Sequence, residues 1–183
     1  SDLATLPIEM VIAHGEVWAE HGKLTQEIAP YRYPDFAKAT VQVGREIVPA
    51  DFRIVAPAGK NSVTARVIGI IENQAPTRAL ERILPVEDGL VALDRAGDVA
   101  QVAVVARHRA TGKVVNAFVS GFGYTVDCAV ASTVAHDSHQ MIVVGTNHED
   151  MALAANRLQE VGGGLVVVSK GRELALVELP IAG

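Results

Sequence analysis

Short apolar runs separated by turn residues dominate the chain, and only its last third carries a clear helical period. At residues 10–24 two runs, Val11-Ile12-Ala13 and Val17-Trp18-Ala19, flank His14-Gly15, a pair suited to a tight hairpin turn with positive φ. A second glycine turn follows at Gly22-Lys23. Over residues 26–36 the close spacing of Pro30, Tyr31, Tyr33 and Pro34 keeps the chain extended, so this stretch reads as a linker. A hairpin with so few strands is not stable by itself and is expected to join another sheet.

From residue 37 onward the pattern predicts strands at 51–55, 62–71, 78–84 and 89–93, the latter two lying either side of Pro85. Pro57-Ala58-Gly59-Lys60-Asn61 and Asp94-Arg95-Ala96-Gly97-Asp98 supply turn chemistry. Val63, Ala65, Val67 and Gly69 alternate with Thr64, Arg66, Ile68 and Ile70, polar at one end and apolar on both faces at the other, which implies partial burial on both sides. Residues 99–108 and 113–120 form the clearest hairpin, joined by Arg109-Ala110-Thr111-Gly112.

Beyond Gly121-Phe122-Gly123 the small residues of 126–134 suit a buried helix packed closely on a sheet. Residues 141–145 read as a short strand leading into Thr146, an expected N-cap with Glu149 at N3 of a capping box. Met151, Ala154, Ala155, Leu158 and Val161 then recur at helical spacing, and Gly162 supplies the stop. Strands at 165–169 and 173–179 close over Lys170-Gly171-Arg172. The expected fold is α+β, a mainly antiparallel or mixed sheet with two late helices over residues 37–183, preceded by a short β-hairpin and linker over residues 1–36 that belong to a neighbouring sheet.

Composition narrows the function classes. Of 183 residues 49% are hydrophobic and 20% charged, which marks a globular chain with room for its own core. Lys plus Arg number 16 against 21 Asp plus Glu, a net charge of -5, so neither nucleic acid nor an anionic membrane is an expected partner. Aromatic residues make up 4%, too few for base-stacking platforms. The single cysteine, Cys128, rules out an intrachain disulfide, suits a reducing cytoplasm and reads as a small buried hydrophobe. No apolar run reaches the roughly 20 residues of a membrane span, and Ser1-Asp2-Leu3-Ala4-Thr5 lacks a signal peptide's basic start. With no initiator Met and an abrupt stop at Leu179-Pro180-Ile181-Ala182-Gly183, the chain reads as a piece of something longer.

The densest chemistry lies in Ser132-Thr133-Val134-Ala135-His136-Asp137-Ser138-His139, with two imidazoles, a carboxylate and three hydroxyls. One reading makes a histidine a general acid or base with Asp137 fixing its tautomer, or makes His136 and His139 ligands to a divalent metal. The other makes Asp137 and Ser138 turn the chain while the histidines bond to backbone. Spacing alone leaves both open. Gly121-Phe122-Gly123 and Gly162-Gly163-Gly164 lack the remaining residues of nucleotide loops and serve turns and close packing. His14, His21 and His108 are expected to face solvent, as is His148 unless the cap differs and brings it to the His136 and His139 cluster.

That octet, with Val143-Val144-Gly145-Thr146-Asn147, Asp150-Met151, Gly162-Gly163-Gly164 and Leu179-Pro180-Ile181-Ala182-Gly183, resembles the C-terminal part of bacterial adenine deaminase, of the amidohydrolase superfamily. The resemblance extends upstream through Asp51-Phe52, Arg66-Val67-Ile68 and Ser120-Gly121-Phe122-Gly123 to the hairpin at 15–22, so that residues 1–36 would complete a small β-sandwich next to a barrel. It implies metal-dependent conversion of adenine and water to hypoxanthine and ammonia in the cytoplasm. The divalent metal, Mn or Fe, would be held by an N-terminal (β/α)8 barrel that this sequence lacks, so no cofactor is expected in the fragment and the fragment alone is expected to be inactive. His136, Asp137 and His139 are then candidate catalytic residues, with Ser132 and Ser138 facing substrate. The contrasting expectation is a structural domain supporting a homo-oligomer, or an independent metal- or purine-binding module.

Overall fold

The computed structural model describes residues 8–136 and 138–183 and divides at Tyr33/Pro34 into two compact units. In the first unit β1 (Met10–Ala13), β2 (Glu16–Glu20) and β3 (Lys23–Leu24) form an antiparallel sheet in that order. Both connections are two-residue turns with positive φ at each position, the first at His14-Gly15 as expected and the second at His21-Gly22, one residue before the expected Gly22-Lys23 because Lys23 already pairs with Glu20.

The second unit is built on a nine-stranded mixed sheet. Its members are β4 (Ser62–Gly69), β5 (Arg78–Glu87), β6 (Leu90–Val91), β7 (Val99–Val105), β8 (Val114–Ser120), β9 (Ala129–Ser132), β10 (Met141–Gly145), β11 (Gly164–Ser169) and β12 (Arg172–Glu178). They run in the order β12-β11-β9-β10-β7-β8-β4-β5-β6, antiparallel throughout except for β4 beside β8. Pro85 does not interrupt β5. It sits opposite Ser62, where β4 begins, and its carbonyl still accepts from Ala92 N at 2.9 Å.

Two expected elements differ. Residues 51–55 form no strand: Pro49–Phe52 is a 3-10 turn, closed by the Asp51 carboxylate accepting from Val48 N at 2.8 Å, and it drives Phe52 completely out of solvent. The second late helix, expected at 126–134, is the central strand β9 instead. The demand for small residues was real, but its geometry was inverted. Ala129 and Ala131 are the floor of the sheet on which α1 (His148–Val161), the one α-helix among the described residues, lies, and a strand shows a face every second residue.

Helix α1 starts one residue later than the pattern suggested. Asn147 is the cap, its Oδ1 accepting from Asp150 N at 2.7 Å, while Thr146 Oγ1 accepts from Cys128 N at 3.0 Å. Gly162 ends it in the left-handed region at φ 83. Met151, Ala154, Ala155 and Leu158 pack on Ala131, Met141, Val143 and Val166, and truncating the fully buried Leu158 to Ala would cost about 3 kcal/mol. The buried Asp150 carboxylate fastens the helix to the β11–β12 turn by accepting from Lys170 N and Gly171 N at 3.0 and 2.7 Å.

Candidate functional site

Strand pairing fixes which connections share an end of the sheet. Met141 lies opposite Val105, Ile142 opposite Ser132, Ser132 opposite Leu165, and Gly164 opposite Glu178. The octet connection, the β7–β8 connection, the glycine triplet and the C-terminal tail therefore meet at the Met141 end. Motifs far apart in sequence converge there.

Arg107 is the centre of this end. It is 2% exposed, and its Nε donates to His139 O at 2.6 Å while its terminal nitrogens reach Thr40 O, Thr40 Oγ1 and Ala182 O at 3.4–3.5 Å. Arg107 N donates to Gln140 Oε1 at 2.9 Å, and its carbonyl accepts from Gln42 N at 2.6 Å. One guanidinium thus ties together the octet, the tail and the strap around Thr40 that precedes the Pro49–Phe52 turn. Burial pushes its pKa down, though a guanidinium stays charged throughout the physiological range. Periodicity could not reveal this residue, since Arg107 closes an apolar strand pattern as any solvated end residue would.

The octet itself is a compact turn. Ser132 Oγ accepts from Val134 N at 3.0 Å, Thr133 Oγ1 accepts from Gly164 N at 2.8 Å, and His139 N donates to Ala135 O at 2.7 Å. His139 adopts φ 49, a left-handed conformation that costs a non-glycine residue about 1 kcal/mol and is held here by Arg107 on its carbonyl. The His136, Ser138 and His139 side chains are exposed, and Ser132 is half-buried. Asp137 lies outside the described residues. Beside the turn, Ala106, His108, Arg109, Thr111 and Gln140 line a cleft of about 420 Å³, and His108 Nε2 stands 3.4 Å from Ser138 O.

Two further tails of the resemblance close this end. Leu179 N donates to Gly163 O at 2.9 Å, and Ala182 N donates to Ala37 O at 2.7 Å. Gly163, at φ 117, would drive a side chain into Gly183 and Thr133, so the glycine is needed for the tail to seat.

His148 is elsewhere. It follows Gly145, at the opposite end of β10 from the octet, so it does not join His136 and His139. Nor is it exposed: half-buried, it places Nε2 at 3.1 Å from Gln101 Oε1 and stacks on Phe52 at 6.5 Å between ring centroids. Gln101 Nε2 donates to Phe52 O at 2.5 Å and Asn116 Oδ1 at 2.9 Å, and Asn116 Nδ2 donates to Asp51 O at 2.8 Å. This chain of amides makes His148 Nε2 the donor. Burial lowers the His148 pKa.

Cys128 is 6% exposed with its thiol pKa raised by burial, the reverse of what a nucleophile needs. Among the described residues, no group of three or more His, Cys, Asp and Glu side chains is arranged to hold a metal ion.

Residues 74–183 match the family described as the adenine deaminase C-terminal domain. Across all 183 residues the chain is 65% identical to "Adenine deaminase 3" of Rhizobium meliloti (strain 1021) and spans 31% of that protein. It is 63% identical to "Adenine deaminase" of Mesorhizobium japonicum over the same 183 residues, and 47% identical over 182 residues to that of Moorella thermoacetica, spanning 30% of each. The chain thus covers about a third of the length of the curated relatives it matches. On the strength of that match and of the motifs gathered around Arg107, the chain belongs to the adenine deaminase C-terminal domain family.

Proposed function

We propose that this chain is the C-terminal part of an adenine deaminase, a cytoplasmic enzyme converting adenine and water to hypoxanthine and ammonia, and that the Met141 end of its sheet faces the active site. The observation carrying this reading is the convergence of the octet and the tail on one buried cation, with the glycine triplet bonded to both segments beside it. Hydrolytic deamination in this family draws on a divalent metal, Mn or Fe. Its ligands would belong to an N-terminal barrel outside these 183 residues.

What this chain's residues can do is bind and shield. His136, His139 and Ser138 present exposed polar atoms on a turn whose backbone is fixed by Arg107, and groups so placed can bond purine nitrogens, move a proton or exclude water. In the full-length enzyme, His136→Ala or His139→Ala is expected to lower kcat by about 100-fold with little change in Tm. Asp137→Asn completes the set. The 183-residue chain alone is expected to show no adenine turnover with or without added Mn or Fe.

One observation favours a second reading, a structural domain that supports a homo-oligomer. Ser132 already spends its hydroxyl on Val134 O within the turn, and Thr133 spends its own on Gly164 of the neighbouring strand. Unchanged kinetics in both histidine variants would establish that reading and remove the first.

A further inference from the structure

The two faces of the nine-stranded sheet differ in what covers them. On one, Ala103, Ala131, Met141 and Val143 are completely buried beneath α1. On the other, cross-strand partners form a row running Val115, Val104, Ile142, Ser132, Leu165 and Val177 across six strands. The next row, through Val102, Val144, Val130 and Val167, is aliphatic throughout. Yet Val115 is 52% exposed, Val177 56% and Leu165 42%. An antiparallel sheet with one solvated face ordinarily alternates apolar with polar residues, and apolar positions on both faces mark strands covered on both sides.

The same face supplies its own control. On the two strands next beyond β8, Arg66 of β4 stands opposite Glu81 of β5, a cross-strand charge pair typical of a surface in water. The aliphatic part over β8, β7, β10, β9 and β11 carries no charge in either row. A contiguous apolar patch rimmed by charge marks an interface. The Tyr124 hydroxyl, on a ring packed against Ala100, Val119 and Val144, is shielded from solvent and has no hydrogen-bond partner among the described residues, as happens when the partner comes from another segment.

We infer that this face is covered, in the intact protein, by a helical layer from the part of the same polypeptide lying outside these 183 residues. Relatives leave ample chain for it, since the 183 residues span 31% of the Rhizobium protein. A helix fits because α1 already covers the opposite face of the same strands, and a tethered segment reaches it without the loss of translational freedom that a second copy would meet. Ser132 lies within the covered row, so the covering layer borders the octet.

The test uses the full-length protein with single cysteines at Val115→Cys, Leu165→Cys and, as the control on the charged part of the same face, Ile83→Cys, which is 74% exposed here. Thiol labelling at 115 and 165 is expected to be at least about 100-fold slower than at 83 in the native state, and to stay so over a hundredfold dilution. Equal rates would sink the inference, and protection lost on dilution would assign the face to a second copy instead. Lysine scanning gives an independent reading that needs no labelling: Val104→Lys should lower the full-length Tm by about 10 °C, against about 1 °C for Ile83→Lys. Fast labelling in a variant that still deaminates adenine would overturn the covering layer while leaving the proposed function intact.

Discussion

At the Met141 end of β10 an aliphatic sheet accommodates a buried cation, and at the Gly145 end, about 13 Å away along the same strand, it accommodates a chain of neutral amides. Arg107 is bonded to backbone carbonyls of His139, Thr40 and Ala182, which lie 32, 67 and 75 residues away in sequence. Gln101 is bonded to His148, Asn116 and Phe52, each group pairing a donor with an acceptor in turn. Arg107 and Gln101 are both buried, but their dependence on the rest of the chain differs. A guanidinium has five donors and no acceptor, so it gathers carbonyls from whichever segments reach it and makes loop, tail and strap interdependent. Primary amides carry both, so they complete a short local relay and freeze one orientation of His148.

The sharpest way to break the comparison is to remove each centre. Arg107→Met in the full-length protein leaves three sets of carbonyls without their donor, and we expect a loss of about 3–5 kcal/mol by denaturant unfolding, with rapid deuterium uptake spreading to the 179–183 tail. Uptake confined to the octet would show that the tail holds itself. Gln101→Met preserves shape but orphans Phe52 O and Asn116 Oδ1, for an expected loss of about 2 kcal/mol. Here the disturbance should stay around His148 and Asn116 in the same exchange experiment.

A smaller effect separates the ends by pH. Burial holds His148 below its ordinary 6.5, so the unfolded chain takes up a proton that the folded chain refuses as pH falls under that value. The folded state's stability from this group is complete above 6.5 and declines as pH drops toward the folded pKa. His148→Gln keeps a donor for Gln101 and removes the titration, so the Tm gap between parent and variant should narrow from pH 7 to pH 5. A constant gap would contradict the buried neutral imidazole.

The smallest expected change concerns the link between the ends. Arg45 Nη2 donates to Gly112 O at 2.7 Å on the octet side, and both Nη atoms hold the Asp51 carboxylate, whose own carbonyl serves Asn116. Hydrogen bonding to Arg45 holds the Asp51 pKa below 3.8, so the stabilisation is present above that value and lost as pH falls through the folded pKa. Arg45 is 40% exposed, so Arg45→Met should cost under about 1 kcal/mol at neutral pH, and less once pH has fallen through the folded Asp51 pKa.

The hairpins, the helix body and its glycine stop were legible because each rests on residues within one period of one another: His14-Gly15 turns a chain by its own φ angles, and Met151, Ala154, Ala155 and Leu158 mark one face of a helix wherever it lies. The octet was legible as a concentration of polar chemistry, and its family resemblance as a string of motifs. Residues 126–134 misled because small size is a demand of the helix above them, which a local pattern cannot assign to strand or helix. Arg107 and the His148 relay were invisible for a similar reason. Their partners sit 32 to 75 and 47 residues away, and only strand pairing brings them within hydrogen-bond reach. Local propensity is a property of neighbours along the chain, whereas which carbonyl meets which buried donor depends on register across the sheet, and that was decided by the tertiary structure alone.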